Sequence, residues 1–103
     1  YIFVKSDGKM LKVNLNDILY IEALNEYIKI KTNEGNVITL QSMKSIEAFL
    51  SEKNFVRIHK SYIVSLGKID FVEGPFAVIS GKKIPIGIKY KKRFFDVISP
   101  KGK

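Results

Sequence analysis

Ile18-Leu19-Tyr20-Ile21-Glu22-Ala23-Leu24-Asn25-Glu26-Tyr27-Ile28-Lys29-Ile30-Lys31-Thr32 is the stretch on which the fold turns. From Tyr27 onward apolar and polar residues alternate. Ile28 and Ile30 fall on one side and Lys29 and Lys31 on the other, the period of a half-buried β-strand. Residues 18–23 are rich enough in β-branched and aromatic side chains for a second strand. Leu24-Asn25-Glu26 interrupts the two, so the expectation is an antiparallel pair with a polar tip.

The same pattern extends both ways. Residues 1–5 read as a strand, and Asp7-Gly8 is the dipeptide favoured in tight hairpin turns. Leu11, Val13 and Leu15 then share one face, with Lys12 and Asn14 on the other. Downstream, Asn33-Glu34-Gly35-Asn36 turns the chain into a strand over 37–40. Further strands are expected at 55–58, 62–65, 69–73, 76–79 and 84–86, with turns at Gly74-Pro75 and at Ser80-Gly81-Lys82-Lys83. Pro85 places the last of these at an edge.

Two helices break the β pattern. Ser42 is the expected N-cap of the first, and Ile46, Phe49 and Leu50 form its apolar stripe. From Lys89 the period changes again. Tyr90, Phe94, Val97 and Ile98 line one side of a short helix, while Lys91, Lys92 and Arg93 line the other. Ser99 to Lys103 reads as a tail. The fold class is therefore mostly β: short antiparallel strands with one helix in the middle and a short C-terminal helix.

Composition limits the functions open to such a fold. At 103 residues the chain has room for one domain, and 46% apolar residues suffice for a core. No apolar run nears the roughly 20 residues of a membrane span. There are no cysteines, which excludes disulfides, thiolate metal sites and a Cys nucleophile and suits a reducing, cytoplasmic setting. The net charge is +8, and it is unevenly placed. Residues 1–50 carry six basic and six acidic side chains; residues 51–103 carry twelve and four. Such a basic half suits a polyanion, though a lysine-rich solvated surface has the same composition.

Catalysis finds little support. His59 is the only histidine, so any triad would have to form around it and Ser61. Acidic residues are scattered singly, and no glycine-rich phosphate loop occurs. The expectation is no enzyme, no metal and no cofactor.

Three polar segments remain as binding candidates. Asn25-Glu26-Tyr27 with Lys29 is a hairpin tip, equally readable as an ordinary turn. Arg57, His59, Lys60 and Ser61, followed by Tyr62, interrupt two apolar strands, and fit a solvated connection as well. Gly87-Ile88-Lys89-Tyr90-Lys91-Lys92-Arg93 is a turn into a basic helix start, where backbone N–H groups can hold a phosphate. It too could be a solvated helix face. Membrane-surface binding ranks low, because Phe94, Val97 and Ile98 are expected to be consumed in packing against the sheet.

The same segments carry a family likeness. Asp17-Ile18-Leu19-Tyr20-Ile21-Glu22-Ala23 with Tyr27, the helix from Ser42 to Leu50, Phe55-Val56-Arg57-Ile58-His59-Lys60-Ser61-Tyr62-Ile63-Val64, and Ile84-Pro85-Ile86-Gly87 with Lys89-Tyr90 resemble the LytTR (LytR/AlgR-type) DNA-binding domain of bacterial response regulators. The resemblance covers nearly the whole chain, 1–103, as one domain. It implies an elongated fold of about ten strands whose loops enter successive major grooves of double-stranded DNA, at repeated half-sites. It also implies a receiver domain upstream in a longer two-component regulator, which suits a chain beginning with Tyr1, and an isolated domain that is monomeric.

By position, Asn25, Glu26, Tyr27, Lys60 and Lys89 would read bases, while Arg57, His59, Ser61, Tyr90 and Lys92 would contact phosphate or position the loops. The chain departs from the family pattern at Val64-Ser65, usually Val-Asn, and at Gly87-Ile88, often Ser with Arg or Lys. A small β-barrel binding RNA or a protein partner is the alternative. That reading calls for aromatics exposed on a sheet face, whereas the alternation here sends most of them inward.

Overall fold

The computed structural model describes residues 1–99; residues 100–103, the rest of the expected tail, lie outside the described residues. Ten strands and two helices follow in order: β1 (Ile2–Ser6), β2 (Lys9–Val13), β3 (Ile18–Leu24), β4 (Tyr27–Thr32), β5 (Gly35–Leu40), α1 (Met43–Glu47), β6 (Phe55–His59), β7 (Tyr62–Ser65), β8 (Phe71–Glu73), β9 (Phe76–Ile79), β10 (Lys82–Pro85) and α2 (Ile88–Ile98). All pairings are antiparallel.

A five-stranded sheet ordered β5-β4-β3-β7-β6 forms the middle of the molecule. Its neighbours in sequence along β6 and β7 go to different cores. Phe55 and Ile63 join one apolar cluster with the β1–β2 hairpin and α1, while Val56 and Val64 join another with β9, β10 and α2. Because successive side chains on a strand point to opposite faces, the sheet is buried on both sides over β3, β7 and β6. The layers stack into an elongated body of 48 × 26 × 24 Å.

Turn chemistry closes the hairpins. Asp7 and Gly8, and again Ser80 and Gly81, pair two consecutive positive φ values, which suit the right-handed twist of the flanking strands. Asn25 also has a positive φ of 56°, at the two-residue turn between Leu24 and Tyr27.

Several expectations need correction. Leu15 sits in a single 3₁₀ turn (Leu15–Asp17), not in a strand, though it still packs on the first core. The strand expected at 69–73 begins only at Phe71, because Asp70 is otherwise engaged: its N–H donates to the Val78 carbonyl at 2.8 Å and its carboxylate accepts from Ser80 N–H at 2.9 Å. Helix α1 begins as expected, with the Ser42 hydroxyl accepting from Ser45 N–H at 3.0 Å. It ends at Glu47, so its period does not reach Phe49, which is 64% exposed, and Met43 packs inward with Ile46 and Leu50 instead.

In α2 only Phe94 is fully buried. Val97 and Ile98, expected in the core, are 40% and 39% exposed and join neither cluster. The inward placement of aromatics also fails in part. Tyr1, Phe3, Tyr27, Phe49 and Phe71 are exposed, because strands facing solvent on one side carry aromatics there too. Tyr1 and Phe3 meet edge to face at 5.7 Å between ring centres, and the others stand apart on β4, β8 and the segment after α1.

Candidate nucleic-acid interface

Two backbone hydrogen bonds bring the three sequence segments together. Ala23 N–H, at the end of β3, donates to the Ser61 carbonyl at 2.9 Å, which ties the β3–β4 tip to the β6–β7 turn. Gly87 N–H donates to the Ile58 carbonyl at 2.7 Å, which ties the start of α2 to the other side of that turn. The segments that carry Asn25-Glu26, Lys60-Ser61 and Gly87-Ile88-Lys89 are therefore neighbours in space.

The contact at Gly87 is close. A Cβ there would lie 3.2 Å from the Tyr90 ring and 3.6 Å from His59, so the absent side chain lets helix and turn meet. Gly87 itself caps α2 without a side-chain bond, and of the first-turn N–H groups that of Tyr90 is taken by the Gly87 carbonyl at 3.0 Å.

A β-bulge organises the middle segment. Arg57 pairs with Ile63 and His59 with Tyr62, which leaves Ile58 as an extra residue, fully buried in the second core. Arg57 then turns its guanidinium on its own loop. Nη2 donates to the Lys60 carbonyl at 2.6 Å, Nε to the His59 carbonyl at 3.4 Å, and Nη1 meets Glu47 at 3.4 Å. The guanidinium also lies 5.9 Å from the centre of the Tyr90 ring. His59 Nδ1 accepts from Ser61 N–H at 3.1 Å, so in the neutral ring Nε2 carries the proton. These contacts hold Lys60 at the apex with its ammonium in solvent.

Across the sheet, Glu22 lies opposite both Lys29 and Tyr62. It pairs with Lys29 at 3.1 Å and accepts from the Tyr62 hydroxyl at 3.0 Å. Partial burial alone would raise the Glu22 carboxyl. The hydrogen bonds from Lys29 and Tyr62, with the charges of Lys29 and Lys82, outweigh it and hold the group below its usual value. Tyr62 is pushed up to about 12, by burial first and then by its bond to the Glu22 carboxylate and that charge.

The basic residues divide accordingly. Lys29 and Arg57 are half-buried and engaged in ion pairs. Lys92 and Arg93 pair with Asp96 and Glu52 in solvent, where such pairs are weak and easily exchanged for a phosphate. Lys60, Lys89 and Lys91 are exposed and form no ion pair among the described residues. No group of His, Cys, Asp and Glu side chains that could hold a metal occurs among the described residues. No described helix is long and apolar enough to cross a membrane.

The family model of the LytTr DNA-binding domain matches residues 8–99. This chain belongs to the LytTR family of DNA-binding domains. It is 26% identical over 92 residues to the sensory transduction protein LytT of Bacillus cereus, a match covering 84% of this chain and 37% of that protein. It is 31% identical over 65 residues to the transcriptional regulatory protein NatR of Bacillus subtilis, covering 63% and 28%. The chain thus spans roughly a third of the length of these relatives. Its fold matches the solved LytTr DNA-binding domain of a response regulator from Bacillus cereus, with a TM-score of 0.80, 20% identity and 96% of each chain covered.

Within this LytTR domain, all three expected segments adjoin. Asn25, Glu26, Tyr27, Lys60 and Lys89 are exposed there; His59, Ser61 and Tyr90 are half-buried supports. Lys91, Lys92 and Arg93 lie further along α2. Sequence reading missed three participants. Glu22 was legible, since it stands cross-strand from Lys29. Glu47, ten positions before Arg57 on α1, meets its guanidinium at 3.4 Å only once α1 is packed beside β6. Lys82, 6.0 Å from the Tyr62 ring centre, comes from a hairpin remote in sequence and gave no local signal.

Proposed function

We propose that this LytTR domain reads sequence in double-stranded DNA with the strip formed by Asn25-Glu26-Tyr27, Lys60 and Lys89, laid into the major groove. The observation that carries the reading is the pair of backbone bonds, Ala23 to Ser61 and Ile58 to Gly87, which bring the three segments together. Lys60 and Lys89 donate to guanine O6 and N7, and Asn25 pairs with an adenine edge. Lys91, Lys92 and Arg93, with the N–H groups of Ile88 and Lys89 at the start of α2, take the phosphates. Arg57 and His59 position the middle loop.

In the cell, the domain serves as the cytoplasmic, C-terminal output module of a longer two-component regulator, downstream of a receiver domain. It acts without a catalytic step, as a monomer in isolation and on repeated half-sites in pairs. The test is selection of bound sequences from a random duplex pool, followed by titration of winner and scramble over a salt series. A preference of about a thousandfold, with both affinities falling steeply in salt, is the expected result. Equal binding to every duplex would leave only a basic surface.

A further inference from the structure

Ile88 is 92% exposed, the most exposed of the large apolar side chains among the described residues. Single exposed apolar residues are ordinary on a protein surface and by themselves mean little. This one is placed differently. It is the first residue of α2, between Gly87, bonded to the Ile58 carbonyl at 2.7 Å, and Lys89. Tyr90 N–H closes the turn onto the Gly87 carbonyl at 3.0 Å, so the backbone that presents Ile88 is held. Together with Pro75, Ile86 and Phe95, Ile88 lines an open hollow of about 350 Å³ to which Lys91 contributes the one charged side chain. The side chain packs into neither core, so it has no evident role in folding.

An apolar side chain at the tip of a groove-reading loop has one matching feature among the base edges of the major groove, the C5-methyl group of thymine. We infer that Ile88 is a specificity-determining residue that reads a thymine methyl adjoining the position read by Lys89. The inference rests on the proposed major-groove reading. The third loop would then select a donor-matched guanine and a methyl-bearing thymine together, with the rigid Gly87 junction setting their spacing.

The experiment removes one methyl group at a time. In the duplex chosen by selection, each thymine is replaced in turn by deoxyuridine, and the affinities of the wild type and of Ile88→Ala are measured. At one position the wild type should lose about three- to fivefold, as expected for one buried carbon. Ile88→Ala should bind the parent duplex about that much more weakly and be indifferent to the same replacement. Its thermal unfolding should match the wild type, since the residue is exposed. If the wild type discriminates parent from scramble but tolerates every replacement, Ile88 reads no methyl and this inference fails while the duplex reading stands. If Ile88→Ala remains as sensitive to the replacement as the wild type, another residue reads the methyl. If parent and scramble bind equally, both readings fail.

Discussion

Arg57 Nη2 donates to the carbonyl of Lys60 at 2.6 Å, so a strand residue holds the turn that carries the apex lysine. The guanidinium reaches the His59 and Lys60 carbonyls and Glu47 from three separate nitrogens in a planar fork, whereas an ammonium presents its donors from a single atom. Arg57→Lys should weaken specific DNA binding about tenfold, the scale of one charge-assisted hydrogen bond. Its salt dependence should stay that of the wild type, because no phosphate contact is lost. A slope reduced by about one in a log–log salt titration would instead put Arg57 on a phosphate.

Lys89 is exposed at the start of α2 and forms no ion pair among the described residues. Lys89→Ala should cost about 1–3 kcal/mol on the selected site and much less on a scrambled duplex. Equal losses on both would make it a phosphate contact. Lys92→Ala, which removes an exposed i,i+4 pair with Asp96, should weaken both duplexes alike.

Tyr62 and Glu22 make folding stability depend on pH at both extremes. The folded-state Tyr62 keeps its proton up to about 12, whereas the unfolded residue loses it near 10.0, so stability should fall as pH rises between these values. Glu22 has the opposite sense. Its stabilising contribution is full above about pH 4.5 and is lost as pH falls through its lowered folded value. Urea titrations of the wild type and Tyr62→Phe, taken as a difference, isolate the pair from other titrating groups. The alkaline decline should be smaller in the variant, and an unchanged decline would count against the assignment.

Phe94 anchors α2 against β6 and is completely buried. Phe94→Ala should destabilise the domain by about 3–5 kcal/mol, a large part of the stability of a small domain. Phe49→Ala should change it by no more than about 0.5 kcal/mol, since the side chain is mostly in solvent. Chemical denaturation distinguishes the two directly, and a large loss at Phe49 would mean that the helix stripe does extend beyond Glu47.

Strand positions were legible where an alternating or short apolar run was bounded by turn residues. The bounds of β4, β7 and β9 match the expectation residue for residue, because β4 alternates with period two and β7 and β9 are short apolar runs closed off by flanking turn residues. The pattern misled where local period and tertiary contact disagree. Phe49 and Val97 continue an apolar helical stripe on paper, yet α1 ends early and the last turn of α2 extends past its core contact. The bulge at Ile58 was equally hidden, since an extra residue in a strand leaves no mark in a short apolar run.

The linear sequence determined the mostly β class, the family, the turns and the three polar segments, since each depends on residues close in the chain. Only the tertiary structure decided that the segments adjoin, because Ala23 meets Ser61 and Ile58 meets Gly87 across gaps of 38 and 29 positions. It also decided which cations are available. Lys29 and Arg57 resemble Lys60 and Lys89 in sequence, but carboxylates brought alongside by sheet register and by α1 engage the first two and leave the others in solvent. Hydrophobic period is a local property of the chain, whereas the neutralisation of a charge depends on what folding places within about 4 Å of it.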